Sequence, residues 1–476
     1  MPPSSVPSGV EPRLGGLGTP PPHLRASRFR VLSPAFSEQG VGSFRLALST
    51  RTGAVVRLPV DQADALDTGA TDLMVEETTT LLRHAGLLVD GDGDEVQELL
   101  AENRRFAADP SQRYECILPS SNCQLGCDYC GQSHQPTGMC EQAQQQVLDR
   151  ITRPVRAGEV RDLHLCWFGA EPLLGLDVIR RLSSEFIAAC GAAGCTYGAD
   201  VVTNGLRLTT AVASELLDLG VRRIEVTLDG PADTHDARRG TKSGHPTFDR
   251  ILANLVAIAA DPHLDPIMLV VRSNVDRRNA PLVPELIDVL SASGLAGRVH
   301  FYVAPVHDWS NEAGSLSLPP DEFARLEIEW FARMIQRGMA PPLMPDRKPV
   351  VCVAVNEQGT VTDPDGRRFR CTEHVLIDRI GTEPPGPVPV EITGDRRRSR
   401  AGDRPDPGHG LVDFYDRVER GDYGCHACPM LPVCGGACPK AWLEGSSPCP
   451  SAKHNLPERL VLAYAASKLG TVAADD

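Results

Sequence analysis

The chain has 476 residues, 41% of them hydrophobic and 5% aromatic, and its 48 Lys and Arg stand against 62 Asp and Glu for a formal net charge of −14. That length allows two or three domains, and the acidic balance argues against nucleic acid as a partner, because phosphate backbones call for a basic face. No apolar stretch approaches the roughly 20 residues of a membrane span and no apolar secretion segment opens the chain, so a cytoplasmic protein with no membrane partner is expected.

Residues 1–28 are rich in Pro, Gly and Ser and read as a disordered tail. A small separate unit is expected over 29–110. Phe44, Leu46 and Leu48 alternate with polar residues as in a half-buried strand, and 54–58 forms its returning partner. Helices are expected over 61–66, 75–85 and 94–108, with a strand at 87–89. A hairpin, short helices and a closing strand make a winged-helix-like unit.

Over 111–338 apolar runs alternate with helical stretches. Strands are expected at 116–118, 163–168, 200–203, 223–228, 268–272 and 300–303. Helices are expected at 142–151, 176–190, 210–219, 247–259, 282–290 and 321–337. Six β–α units in a row imply an α/β fold with a parallel sheet, since parallel strands need such crossovers. Six fall short of the eight of a closed barrel, so the expectation is an open, partial (β/α)6 TIM-like barrel with its chemistry at the C-terminal strand ends. Residues 339–456 turn loop-rich, with a Pro/Gly/Arg loop over 381–410 in which Arg396, Arg397, Arg398 and Arg400 read as a solvated run. Residues 457–476 carry a final helix, 458–469, and a tail.

The 15 cysteines carry the chemistry. Their short spacings in a large chain without a secretion signal point to metal or cluster ligation in a reducing compartment rather than to disulfides. Cys123, Cys127 and Cys130 form C-x3-C-x2-C directly after the first strand. Three thiolates on one loop can cap three irons of a [4Fe–4S] cube and leave the fourth iron open, as a substrate-binding cluster requires. The competing reading is a zinc knuckle, but structural zinc wants four donors and this loop supplies three.

The run Cys123-Gln124-Leu125-Gly126-Cys127-Asp128-Tyr129-Cys130-Gly131 resembles the radical SAM family. The resemblance implies that S-adenosylmethionine (SAM) chelates the open iron and is cleaved to methionine and a 5′-deoxyadenosyl radical. Gly169-Ala170-Glu171-Pro172, after the second strand, resembles the family's Gly-Gly-Glu-Pro turn, which holds the SAM amine. Ala170 departs from it and is expected to be tolerated only at negative φ. Thr203 and Asn204 end strand three, and Thr227 and Asp229 end strand four, as in the family's Thr-Asn-Gly and Ser-x-Asp-Gly. Arg239 matches the family's SAM-carboxylate arginine, where a bidentate pair makes chemical sense. Tyr129 matches an adenine-contacting position, and Arg272 and Asn274 end strand five.

Farther on, Cys352-x13-Gly366-x4-Cys371 precedes Cys425-x2-Cys428-x5-Cys434-x3-Cys438 and then Cys449. This pattern is similar to the SPASM extension of radical SAM peptide maturases. The similarity implies two auxiliary [4Fe–4S] clusters, three in all. Cys425, Cys428, Cys434 and Cys449 would hold the outer one, and Cys352, Cys371 and Cys438 the inner one, which is left one cysteine short. Cys116 and Cys140 are spare thiols, whereas Cys166, Cys190 and Cys195 read as small buried apolar residues. Two zinc ribbons are the competing reading of this half. Glu373 and His374, beside a family position that carries an acid–base carboxylate, read as a surface pair.

The N-terminal unit resembles the recognition element of ribosomal-peptide maturases, which takes a leader peptide as an added strand. The implied function is modification of a precursor peptide, with an electron donor such as flavodoxin or ferredoxin. Alternatives are maturation of a protein active-site residue, a small-molecule radical SAM activity, or a non-catalytic zinc scaffold.

Overall fold

A computed structural model describes residues 24–306, 312–376 and 409–468. The loop expected over 381–410, with its arginine run, lies almost wholly outside the described residues, as do 1–23 and 469–476.

Strand β1 (Leu24–Ala26) pairs antiparallel with β6 (Leu88–Asp90). The disordered tail expected through residue 28 therefore fails at Leu24. Three residues were too short a run to show a period. Strands β2 (Arg30–Leu32) and β3 (Phe36–Glu38) lie along one side of β4 (Gly42–Ser49), and β5 (Val55–Pro59) pairs with its other side. Helices Val60–Thr68 and Glu76–His84 follow, and Glu95–Ala108 leads to the barrel. Asp94 caps that last helix by accepting from the Val96 and Gln97 N–H groups at 3.0 and 3.2 Å.

The half-buried strand pattern of β4 conceals two buried faces. Ala47 packs toward Leu66 and Leu82 of its own unit. Phe44, Leu46 and Leu48 pack against Met430, Leu456 and Leu460 near the chain's other end. The N-terminal unit is thus joined to the C-terminal region by an apolar seam, which removes large side chains from water on both partners.

The barrel strands are β7 (Gln112–Ile117), β8 (Asp162–Trp167), β9 (Thr196–Thr203), β10 (Val221–Thr227), β11 (Met268–Val275) and β12 (Val299–Pro305). All neighbours pair in parallel. The crossover helices pack their apolar stripes, Leu182 and Phe186 among them, onto Trp167, Val201, Ile224, Val226 and Val271. The opposite strand faces carry His164, Asp200, Arg223, Glu225 and Arg272, with His164 and Asp200 3.2 Å apart. The runs are therefore apolar mainly toward the helices.

The sheet has eight strands rather than six. β13 (Gly359–Thr362) adds in parallel beside β7, and β14 (Arg368–Phe369) turns back antiparallel on it. A short Gly-Thr-Val-Thr run among Asp and Gly carries almost no strand signal, and only its place beside β7 makes it one. The final helix runs Ala452–Lys468, starting six residues before the expected 458. Among the described residues, no helix is long and apolar enough to cross a membrane.

Candidate active site

At the C-terminal ends of the barrel strands lies a cavity of about 430 Å³. Cys123, Cys127 and Cys130 line it together with Tyr129, Gly169, Ala170, Thr203, Asn204, Thr227, Arg239 and Arg272. The cysteine loop is pinned from outside. Gly126 N–H bonds Gly240 O at 3.0 Å, Asp128 N–H bonds Arg238 O at 3.1 Å, and Lys242 N–H bonds Gln124 O at 2.9 Å. Asn204 Nδ2 lies 3.8 Å from Cys123 Sγ. Burial pushes the Cys127 thiol up to about 11 and raises Cys123 as well. Thiolate ligation there releases protons.

The turn after β8 is built on left-handed backbone. Gly169 has φ +82, and a Cβ there would meet the Leu118 side chain at 2.2 Å. Ala170 has φ +26, so the expectation of negative φ is overturned. The conformation is imposed from both sides: the Gln132 side chain accepts from Ala170 N–H at 3.0 Å, and Glu171 N–H bonds Asn122 O at 2.9 Å. Strain of this kind persists where its surroundings over-determine it. Ala170→Gly is accordingly expected to stabilise the chain by about 1 kcal/mol, the left-handed penalty that an L-residue carries. Chemical denaturation of the two proteins side by side checks this, and a less stable glycine variant would refute it.

Two residues expected to contact the cofactor stand behind the cavity wall. Glu171 is fully buried. Its carboxylate accepts from Leu173 N–H at 3.0 Å, Thr203 Oγ1 at 2.7 Å and Asn204 N–H at 2.8 Å. It locks the turn to the end of β9, and burial raises its pKa despite those bonds. Asp229 is also fully buried. It accepts from Asn274 N–H at 2.7 Å and from the Tyr129 hydroxyl at 2.5 Å. His235 accepts from Asp229 N–H at 3.2 Å through Nδ1, and burial beside Arg239 and Arg238 lowers its pKa to about 3. It is a neutral positioning ring. Both carboxylates act on the site through other residues.

Arg239 is the charged group these supports aim. It bonds the Tyr129 hydroxyl, lies 3.6 Å from Asp229, and is 7% exposed. Its Nε is buried without a hydrogen-bond partner. An orphaned guanidinium donor at the wall of this cavity fits an anionic group such as an amino-acid carboxylate. The Tyr129 ring lines the cavity while its hydroxyl is held by Asp229, Arg239 and Asn274. Arg272 donates from Nε to Asn274 Oδ1 at 2.9 Å and also lines the cavity. Gln132 and His134, which the sequence reading did not single out, line it too. Nothing in their spacing signals a role.

The seven later cysteines divide in space. Cys425, Cys428, Cys434 and Cys449 line one small cavity, with Lys453 Nζ 3.3 Å from Cys449 Sγ. Cys352, Cys371 and Cys438 line a second cavity of about 600 Å³, which Cys434 borders as well. Thr372 and Glu373 line both that cavity and the barrel one. Glu373 is half-buried, its side chain 30% exposed. Burial pushes its carboxyl up, against the pull of Lys440 at 3.8 Å. Of the spare thiols, Cys116 is buried at the same register as Cys166 on the neighbouring strand, and Cys140 is exposed. Among the described residues, no three Cys, His, Asp or Glu side chains converge on one point as a single ion requires. The donor chemistry at the barrel mouth, all thiol on one short loop, fits an iron–sulfur cube.

Residues 117–270 match the family model described as the radical SAM superfamily. Among solved structures, the chain is similar to hexahistidine-tagged anSMEcpe with bound AdoMet, at 16% identity and a TM-score of 0.52, over 76% of this chain and 98% of that one. Native anSMEcpe with bound AdoMet and Cp18Cys peptide gives 15% and 0.51, over 74% and 99%. Streptococcus suis SuiB bound to precursor peptide SuiA gives 13% and 0.45, over 90% and 98%. The radical SAM family implies SAM and a [4Fe–4S] cluster. Residues 117–270, from the end of β7 into β11 of the open barrel, carry this match to the radical SAM superfamily.

Proposed function

We propose that this chain is a radical SAM enzyme of the SPASM type that modifies a ribosomally made precursor peptide. The observation that carries the proposal is that Cys425, Cys428, Cys434 and Cys449 line one cavity and Cys352, Cys371 and Cys438 line another, which Cys434 also borders. The second of these cavities shares Thr372 and Glu373 with the barrel cavity. Two auxiliary [4Fe–4S] clusters suit those cysteines, the inner one being one cysteine short. A solved structure of the same fold, anSMEcpe, holds AdoMet and a peptide together, which supports a peptide substrate here.

The cluster and SAM, when bound, supply one-electron cleavage of SAM and hydrogen abstraction from the substrate. The chain's own part is placement. Cys123, Cys127 and Cys130, which all line the cavity, would hold the cluster through three thiolates. Arg239, aimed by Asp229 and Tyr129, would take the SAM carboxylate, and the small residues Gly169 and Ala170 would let the turn's backbone approach the cofactor. Thr227, Asn204 and Arg272 complete the wall. In the N-terminal unit, β5 pairs only with β4 among the described residues. Its outer edge can take a leader as an added strand.

The test is anaerobic reconstitution followed by turnover. About twelve irons per chain are expected for three cubes, with 5′-deoxyadenosine released on dithionite reduction and a mass change in a co-encoded peptide. Zinc in place of iron would end the reading. A peptide that turns over equally well without its leader would remove the recognition role of the N-terminal unit. A purified flavodoxin or ferredoxin is expected to replace dithionite.

A further inference from the structure

A cavity of about 530 Å³ opens where the N-terminal unit meets the segment around Cys428 and the start of the final helix. Arg28, Arg30, Arg45 and Lys453 line it, against one carboxylate, Asp67. The imbalance runs against a chain of net charge −14. These basic residues come from separate stretches of sequence, and the packing of the two regions is what gathers them.

Their existing bonds leave charge unmet. Arg45 takes the Asp67 carboxylate at 3.3 Å and Asp64 at 2.9 Å. Arg30 bonds the carbonyl oxygens of Ser27 and Asp67 at 2.6 and 2.9 Å, and its Nε is buried with no hydrogen-bond partner. Arg28 is exposed and bonds the His426 carbonyl at 3.3 Å. Carbonyl oxygens carry no formal charge, so both guanidinium groups remain uncompensated. Met430 and Leu456 add apolar wall. The volume falls within the ~300–1,000 Å³ of ligand-binding clefts.

We infer that this cleft docks a carboxylate-rich peptide segment, an inference that rests on the peptide reading above and names a second contact for that substrate. Glu or Asp side chains would pair with Arg28 and Arg30, and guanidinium–carboxylate pairs are the strong, directional form of such contacts. A basic cleft on an acidic protein also steers an acidic segment toward it.

The test is fluorescence anisotropy of a labelled ten-residue Glu/Ser peptide with the anaerobically reconstituted full chain, without SAM. Saturable binding that weakens as salt rises is expected. The Gln/Ser counterpart and the Arg28→Gln/Arg30→Gln double variant are each expected to bind at least about tenfold more weakly. Arg30 also ties β2 to its neighbours, so Arg28→Gln alone is measured as well, with a loss of about threefold or more expected. Arg325→Gln, on an exposed helix face, is the control and should bind as the parent chain does. Equal binding of the Gln/Ser peptide, or full binding by both Arg28 variants, overturns the inference. Tighter binding of a ten-nucleotide oligo(dT) overturns it too, by making the cleft a phosphate site. Because SAM is absent from the assay, a chain inert toward SAM can still bind this peptide, and a chain that cleaves SAM can fail to.

Discussion

Cys127→Ala is expected to leave no measurable 5′-deoxyadenosine after reduction in the presence of SAM. Cys127 stands mid-loop, and backbone bonds from Gly126 to Gly240 and from Asp128 to Arg238 hold the loop on either side of it. The smaller side chain therefore leaves the loop in place and removes a ligand. Two thiols cannot hold three corners of a cube. The loss should exceed the roughly 10–100-fold typical of disturbing a supporting group around a metal site. Iron content should fall by about four atoms per chain, one cube's worth. Cys434→Ala is the informative contrast. It empties a place in the outer four-thiol cavity and should lose a similar amount of iron while SAM cleavage continues. Chromatography of the nucleoside product with iron analysis on the same samples separates the two. SAM cleavage retained in Cys127→Ala would refute the ligand assignment.

Gly169→Ala is expected to damage both folding and turnover. The position combines φ +82 with a Cβ path that ends 2.2 Å from the Leu118 side chain. Left-handed strain and overpacking together cost about 2–5 kcal/mol. Leu118 is fully buried in the barrel interior beside Cys116 and Cys166, so it has little room to retreat. The backbone of the turn must shift instead, and that backbone lines the cavity. A displacement near 1 Å at a reacting centre costs about 10²-fold in rate. Thermal melts and deoxyadenosine formation measured together check both effects. Parent-like stability and turnover would show that the turn is not held as described.

The barrel was legible because its signal is local and repeated: six apolar runs, each followed by a helix with an amphipathic stripe. The first cysteine loop was legible for the same reason, since its three thiols lie within eight residues. Strand β13 was not, because four small residues acquire strand character only when β7 offers them a free edge. Glu171 and Asp229 read as cofactor contacts because a polar strand end looks alike whether it faces a cavity or the wall behind it. In the structure both are buried and hydrogen-bonded to Thr203, Asn204, Tyr129 and Asn274. Ala170 shows the same limit in the backbone: contacts from Gln132 and Asn122, distant in sequence, hold it at a φ that residue preference alone disfavours.

By itself, then, the order of residues determined the βα repeat, the three-thiol loop and the count of later cysteines, all properties of short-range spacing and polarity. Tertiary structure alone decided which cysteines share a cavity in this chain. Cys438 follows Cys434 by four residues, yet it lines a cavity with Cys352 and Cys371, while Cys434 also lines the small one with Cys425, Cys428 and Cys449. The physical reason is the left-handed run Gly435–Gly436–Ala437 between them. It packs against Phe414 and Val351 and separates the two thiols, so that Cys434 borders both cavities while Cys438 lines only the larger.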